Sequence, residues 1–188
     1  PSPQGRITFV PTLDEIVQLG VYHLRGARDG IISFGQGCEG EPSLQGELLG
    51  QGIRQIRRKT KRGTININAN GGNTLGLGQL INSGLDSMRV SLFSAREELY
   101  NHYHRPKHYT LGNVIETMIT ARKAGVHVSL NLLVFPGITD EKEEIAALQE
   151  LIGTTGLNMV QLRNLNLDPQ LLQHLSSQGG IGRASCRE

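Results

Sequence analysis

A parallel α/β fold, curved into a partial open barrel, is the architecture this sequence predicts, on three observations. Segments with helical apolar spacing alternate with short β-patterned segments along the 188-residue chain, with no linker between them. Five strands can be counted, near residues 31, 65, 88, 128 and 160. Four of the five carry Asn, Ser, Arg or Gln along one face. In a doubly wound sheet both faces meet helices, and such polar rows would be costly. In a barrel one face lines the interior, which can enclose a polar ligand with chemistry at the C-terminal strand ends.

The elements follow in order. Leu13, Ile16, Val17, Gly20, Val21 and Leu24 share a helical face, and Thr12 with Glu15 forms a capping box ahead of them. Residues 30–36 read as a strand, followed by a glycine-rich turn containing Gly35, Gly37, Cys38, Glu39, Gly40 and Glu41 and ended by Pro42. The next helix presents Leu44, Leu48, Leu49, Ile53 and Ile56. Arg54, Arg57, Arg58, Lys59, Lys61 and Arg62 gather toward and beyond its end, where cations suit the helix dipole. Residues 64–70, TININAN, alternate cleanly, and Gly71-Gly72-Asn73 turns the chain into a short helix near 77–83.

The segment 86–93 places Met88, Val90 and Leu92 on one face and Ser87, Arg89 and Ser91 on the other. Ser94 and Glu97 are expected to cap a helix running to about His102. Leu111, Val114, Ile115, Met118 and Ile119 form the next helix face, closed by Gly125. Residues 126–135 are a long apolar strand with Ser129 and Asn131 on one face, turned by Pro136-Gly137. A helix starting at Thr139 or Asp140 is expected to bury Ile145, Leu148 and Ile152. The last strand is 158–165, with Gln161 and Arg163 on one face, before a short helix at Asp168-Pro169.

Composition bounds the function. Hydrophobic residues are 37% and charged residues 19%, enough for a core. A net charge of +2 is too mild to indicate a nucleic acid or an acidic membrane as partner. No apolar run approaches the roughly 20 residues of a membrane span. The two cysteines, Cys38 and Cys186, suggest no disulfide framework, and a reducing cytoplasm is the default location. The chain begins at Pro1 and reads as an internal fragment of a longer protein. Residues 1–175 are expected to form one partial barrel, and 176–188 a non-native or disordered tail. Within it, 181–188, IGRASCRE, resembles the translation of a sequencing adapter.

Gly40-Glu41-Pro42, after an apolar strand and before a helix, resembles the GGE(P) loop of radical S-adenosylmethionine (SAM) enzymes, with Glu39 where the first glycine usually stands. Four further segments resemble that family's pattern: Asn70-Gly71 after the next strand, the RVSL stretch holding Arg89 and Ser91, Asn131 with the PGITD turn at 136–140, and 161–166 in the last strand. The resemblance implies a partial barrel of six βα units, of which units two to six would be present. It implies SAM binding by Gly40, Glu41, Asn70, Arg89, Ser91, Asn131 and Gln161. Glu41 and the Gly40 backbone would meet the ammonium, Arg89 and Ser91 the carboxylate and ribose, and Asn131 the ribose. The last strand, through its backbone and Gln161, would meet adenine.

The full-length enzyme would use a [4Fe–4S] cluster to cleave SAM to a 5′-deoxyadenosyl radical, with electrons from a donor protein and a substrate left open. The CxxxCxxC loop that holds such a cluster is absent from the sequence, so no metal ligand is assigned here and the fragment itself is expected to be inactive. Cys38 reads better as a small buried hydrophobe.

His102, His104 and His108, near Tyr100, Tyr103, Arg105 and Tyr109, match no part of that pattern. They read as a solvated loop, a substrate mouth or, least well, a metal site. The alternatives to the family reading are a cluster-independent TIM-like enzyme and a non-catalytic binding barrel. The former would need a catalytic lysine or an acid pair at strand ends, and no strand contains a lysine.

Overall fold

The computed structural model describes residues 8–35 and 40–164. Cys38, Glu39, the helix expected at Asp168 and the tail with Cys186 lie outside the described residues. Helix α1 (Leu13–Gly26) leads into strand β1 (Ile31–Phe34), a 3-10 turn (Pro42–Gln45) and helix α2 (Gly46–Lys59). Strand β2 (Thr64–Ala69), helix α3 (Thr74–Ile81) and strand β3 (Ser87–Leu92) follow. Helices α4 (Glu97–His104) and α5 (Leu111–Lys123), strand β4 (His127–Val134), helix α6 (Lys142–Thr155) and strand β5 (Met159–Asn164) complete the order.

All five strands are parallel and lie in chain order, β1-β2-β3-β4-β5. Right-handed crossovers between successive neighbours put every helix on the same side of the sheet. The core confirms this: Ile65, Ile67, Met88, Val90, Leu92, Val128 and Leu130 bury themselves against Leu24, Ile53, Leu77, Leu80, Val114 and Met118 of the helices. The opposite face is left to Ser33, Asn66, Asn68, Arg89, Ser91, Asn131 and Gln161, so the fold is an α/β partial barrel with a polar inner wall, as expected.

The Thr12–Glu15 capping box forms: Glu15 N donates to Thr12 Oγ1 at 3.3 Å, and Thr12 N to Glu15 Oε2 at 2.8 Å. Other expectations need correction. Leu44 is not part of a buried face; it lies in the 3-10 turn that precedes α2 and is 74% exposed. Helix α3 starts three residues early because the Asn73 side chain accepts from Gly76 N and caps it. Ser94 does not cap α4, since its hydroxyl donates to Glu144 at 2.5 Å.

Helix α6 starts at Lys142, because the Asp140 carboxylate caps the 136–140 turn through Gly137 N and Thr139 Oγ1 accepts from Phe135 N. Its buried stripe is Glu144, Leu148, Leu151 and Thr155, while Ile145 and Ile152 are exposed. Arg57 is more than a dipole partner. It donates to the carbonyls of Arg62, Gly63 and Gly84 and pairs with Asp86, whose carboxylate also accepts from Ile65 N, binding the α2 end to the bottoms of β2 and β3.

Candidate functional site

Parallel strands bring all their C-terminal ends to one edge of the sheet, and the loops there carry the candidate residues. The turn after β1 is set by Gly35. Its φ is +82°, and a Cβ there would stand 2.1 Å from the Asn68 carbonyl oxygen and 2.7 Å from Pro42 Cγ, so only glycine lets the chain cross β2 this closely. Gly40, with φ +84°, turns the chain again into Glu41. Glu41 Oε1 accepts from Ser43 N at 3.1 Å and Oε2 from Asn70 N at 2.8 Å. The carboxylate therefore caps the 3-10 turn and staples it to the end of β2, a structural duty that the sequence did not reveal. Asn70 folds its own turn, its Oδ1 accepting from Gly72 N at 2.8 Å.

The inner wall is ordered by strand register. Ser33 lies beside Asn66, Asn68 beside Arg89, and Arg89 beside Ser129; one layer up, Ser91, Asn131 and Gln161 stand in a row across β3, β4 and β5. The β1–β2 part of this wall is self-satisfied. Asn66 Nδ2 donates to Ser33 Oγ at 2.8 Å and to Asn68 Oδ1 at 3.2 Å, and Asn68 Nδ2 donates to Ser33 Oγ at 3.1 Å.

The β3–β5 part is different. Among the described residues six buried side-chain atoms have no hydrogen-bond partner: Ser43 Oγ, Tyr100 Oη and Thr117 Oγ1, and, together on the inner wall, Arg89 Nε, Asn131 Oδ1 and Gln161 Oε1. Buried polar atoms in native proteins nearly always have partners, and these three, on neighbouring strands, are open to a ligand. The first belongs to the Arg89 guanidinium, and the other two are acceptors in one row. The set suits a ligand with an anionic group and with hydroxyl or amino donors. Gly40, Glu41 and Asn70 lie at the strand-end loops above β1 and β2, on the opposite side of the mouth from Gln161 on β5.

The histidine segment resolves into separate roles. His104 is half-buried at the end of α4: its Nε2 accepts from Phe93 N at 3.2 Å, and its ring stacks on Tyr100 at 4.5 Å and meets the edge of Tyr103 at 4.9 Å. His108 is exposed. Among the described residues no group of three or more His, Cys, Asp or Glu could hold a metal ion. Burial pushes the His104 imidazole down from the ordinary 6.5 to about 4.

The folded state thus favours the neutral ring, while the unfolded chain takes up a proton below pH 6.5. Stability from this group is complete above pH 6.5 and is lost as pH falls toward 4. Thermal midpoints across that window should fall less steeply in His104→Gln, whose amide oxygen can still accept from Phe93 N but cannot titrate. Equal slopes in the two proteins would show that His104 does not carry the effect.

Comparison with known proteins agrees with this fold. The Radical SAM superfamily model matches residues 3–148. No curated protein sequence matches the chain. Among solved structures, the chain is similar to methylornithine synthase (PylB), with TM-score 0.62 and 15% identity over 85% of this chain and 46% of that one. It is similar to Streptococcus suis SuiB bound to S-adenosylmethionine, with TM-score 0.60 and 12% identity over 94% and 41%. It is also similar to the Escherichia coli coproporphyrinogen III oxidase (HemN), described as a radical SAM enzyme, with TM-score 0.57 and 15% identity over 94% and 41%. The chain spans less than half the length of each of these three.

Proposed function

This chain belongs to the radical SAM superfamily, and from that premise we propose that its inner wall is the SAM-binding part of an enzyme that uses a [4Fe–4S] cluster. The observation that carries the reading is the group of buried atoms without a partner among the described residues on Arg89 and, one layer up, Asn131 and Gln161. Arg89 takes the amino-acid carboxylate of SAM through a charge-assisted bond, with Ser91 beside it. Asn131 and Gln161 accept from the ribose hydroxyls and the adenine amino group. Glu41 holds the Gly40 turn in place by its bonds to Ser43 N and Asn70 N, and the lone pairs left on each oxygen face the ammonium. Asn70 completes that side.

SAM bound beside a reduced cluster supplies a one-electron cleavage that starts hydrogen abstraction from a substrate; the protein's part is to bind, orient and exclude water. The cluster ligands would lie outside this chain, and an electron donor and a substrate are the partners the reading requires. No helix among the described residues is long and apolar enough to cross a membrane.

The test is direct. The full-length gene product, reconstituted anaerobically with iron and sulfide and reduced with dithionite, should convert SAM to 5′-deoxyadenosine. A fully loaded cluster with no 5′-deoxyadenosine formed would sink the reading.

A further inference from the structure

Beside the Glu41–Asn70 staple lies a cavity of about 640 Å³ that Glu41 and Asn70 border but Arg89, Ser91, Asn131 and Gln161 do not. Its walls are the start of the 3-10 turn, the segment joining β2 to α3, and the loop joining α4 to α5. Two fixed cations, Arg105 and Lys107, and the titratable His108 stand on that loop. Against them, among the described residues, the lining holds one carboxylate, Glu41, and both its oxygens already accept backbone N–H groups. Among the described residues neither the Arg105 nor the Lys107 side chain has a hydrogen bond or ion-pair partner. The cavity is thus rich in uncommitted donors and positive charge.

Three further features suit a ligand. The Tyr109 ring lies flat on Gly72, where a Cβ would stand 2.1 Å from it, so the aromatic wall is fixed. Leu44 and Leu75, 74% and 75% exposed, form an apolar rim. Arg105 itself has φ +48°, the one left-handed non-glycine residue among those described, at the C-cap of α4. Glycine is the favoured residue at that position, and what arginine adds there is a guanidinium at the cavity.

We propose that this cavity seats an oxyanion, a phosphate or a carboxylate, carried on an apolar body, and that it is the recognition handle of the enzyme's substrate. The cations meet the anion, while Tyr109, Leu44 and Leu75 cover the apolar part. The role as substrate handle rests on the SAM reading above; the binding itself does not.

Titration calorimetry with octyl phosphate, octanoate, octanol and inorganic phosphate tests it. Octyl phosphate or octanoate should bind, and whichever is tighter identifies the anion. Octanol and inorganic phosphate should each bind at least roughly tenfold more weakly, since each lacks half of the recognition. Arg105→Gly combined with Lys107→Ala should weaken the favoured probe by roughly tenfold or more. Glycine is at ease at the Arg105 φ, so this variant keeps its fold, which circular dichroism checks.

Arg58→Ala combined with Lys59→Ala, two cations at the far end of α2, should leave binding unchanged. The proposal is overturned if octanol binds as tightly as the anions, if neither anion binds, or if the α2 pair matters as much as the cavity pair. SAM titrated separately distinguishes the two readings. The cavity variant should bind SAM normally, and Arg89→Met should bind the octyl probes normally. Probe binding without SAM binding would fail the SAM reading alone, and the converse would fail this proposal alone.

Discussion

Glu144→Ala should lower the unfolding free energy by about 2–4 kcal/mol, the cost of removing a buried carboxylate and stranding the donors it satisfies. Glu144 is fully buried on α6. Its Oε2 accepts from Ser94 Oγ at 2.5 Å and Arg96 Nε at 3.2 Å, and its Oε1 accepts from Ala95 N at 2.7 Å. Truncation strands all of these donors and leaves a void. The neighbouring pair, Arg96 with Glu141 at 2.7 Å, is partly exposed on both sides, so Glu141→Ala should cost only about 0–1 kcal/mol. Urea unfolding of the two variants gives the comparison. A loss below about 1 kcal/mol for Glu144→Ala would show that the carboxylate is not the clasp described here. The clasp matters for function because it fixes residues 93–96 immediately beyond Ser91, at the mouth of the barrel.

Arg89→Met should weaken SAM binding by about one to two powers of ten, because a hydrogen bond to a charged group contributes roughly 1.5–3 kcal/mol. Its Nε is buried with no partner, so methionine removes nothing that the ligand-free fold uses. Arg89→Lys should recover part of the affinity, since lysine supplies the charge but not the planar fork. Calorimetric titration of SAM into the cluster-loaded, full-length protein checks both. Arg89→Met binding SAM as wild type would remove the guanidinium from the site.

Much of this was legible in the sequence wherever alternation was strict. Met88, Val90 and Leu92 against Ser87, Arg89 and Ser91 gave both the buried face and the inner wall, and the register then aligned Ser91, Asn131 and Gln161 as the strand pattern implied. What could not be read were the places where a charged or polar side chain turns inward. Glu144 looks like a solvated helix residue, so the α6 face was set one residue off, on Ile145 and Ile152. The available signal was its spacing with Leu148, Leu151 and Thr155, at i, i+4, i+7 and i+11. His104 was grouped with His102 and His108 by proximity in sequence, but helix α4 directs it to the Phe93 amide, a long-range bond that no local pattern encodes. Glu41 resembled a ligand-binding carboxylate, and its bond to Asn70 N depends on β1 and β2 lying side by side.

The central claim is that Arg89, Asn131 and Gln161 are held for a ligand and not for the fold. Asn131→Leu and Gln161→Met, near-isosteric apolar replacements, separate these directly. Replacing an unsatisfied buried acceptor by an apolar group of similar shape is neutral or stabilising for the protein alone. Each variant, followed by thermal unfolding without ligand and by SAM titration, should therefore melt at or above the wild-type midpoint while binding SAM more weakly. A lower midpoint with unchanged SAM affinity would contradict the assignment of the inner wall as the SAM site.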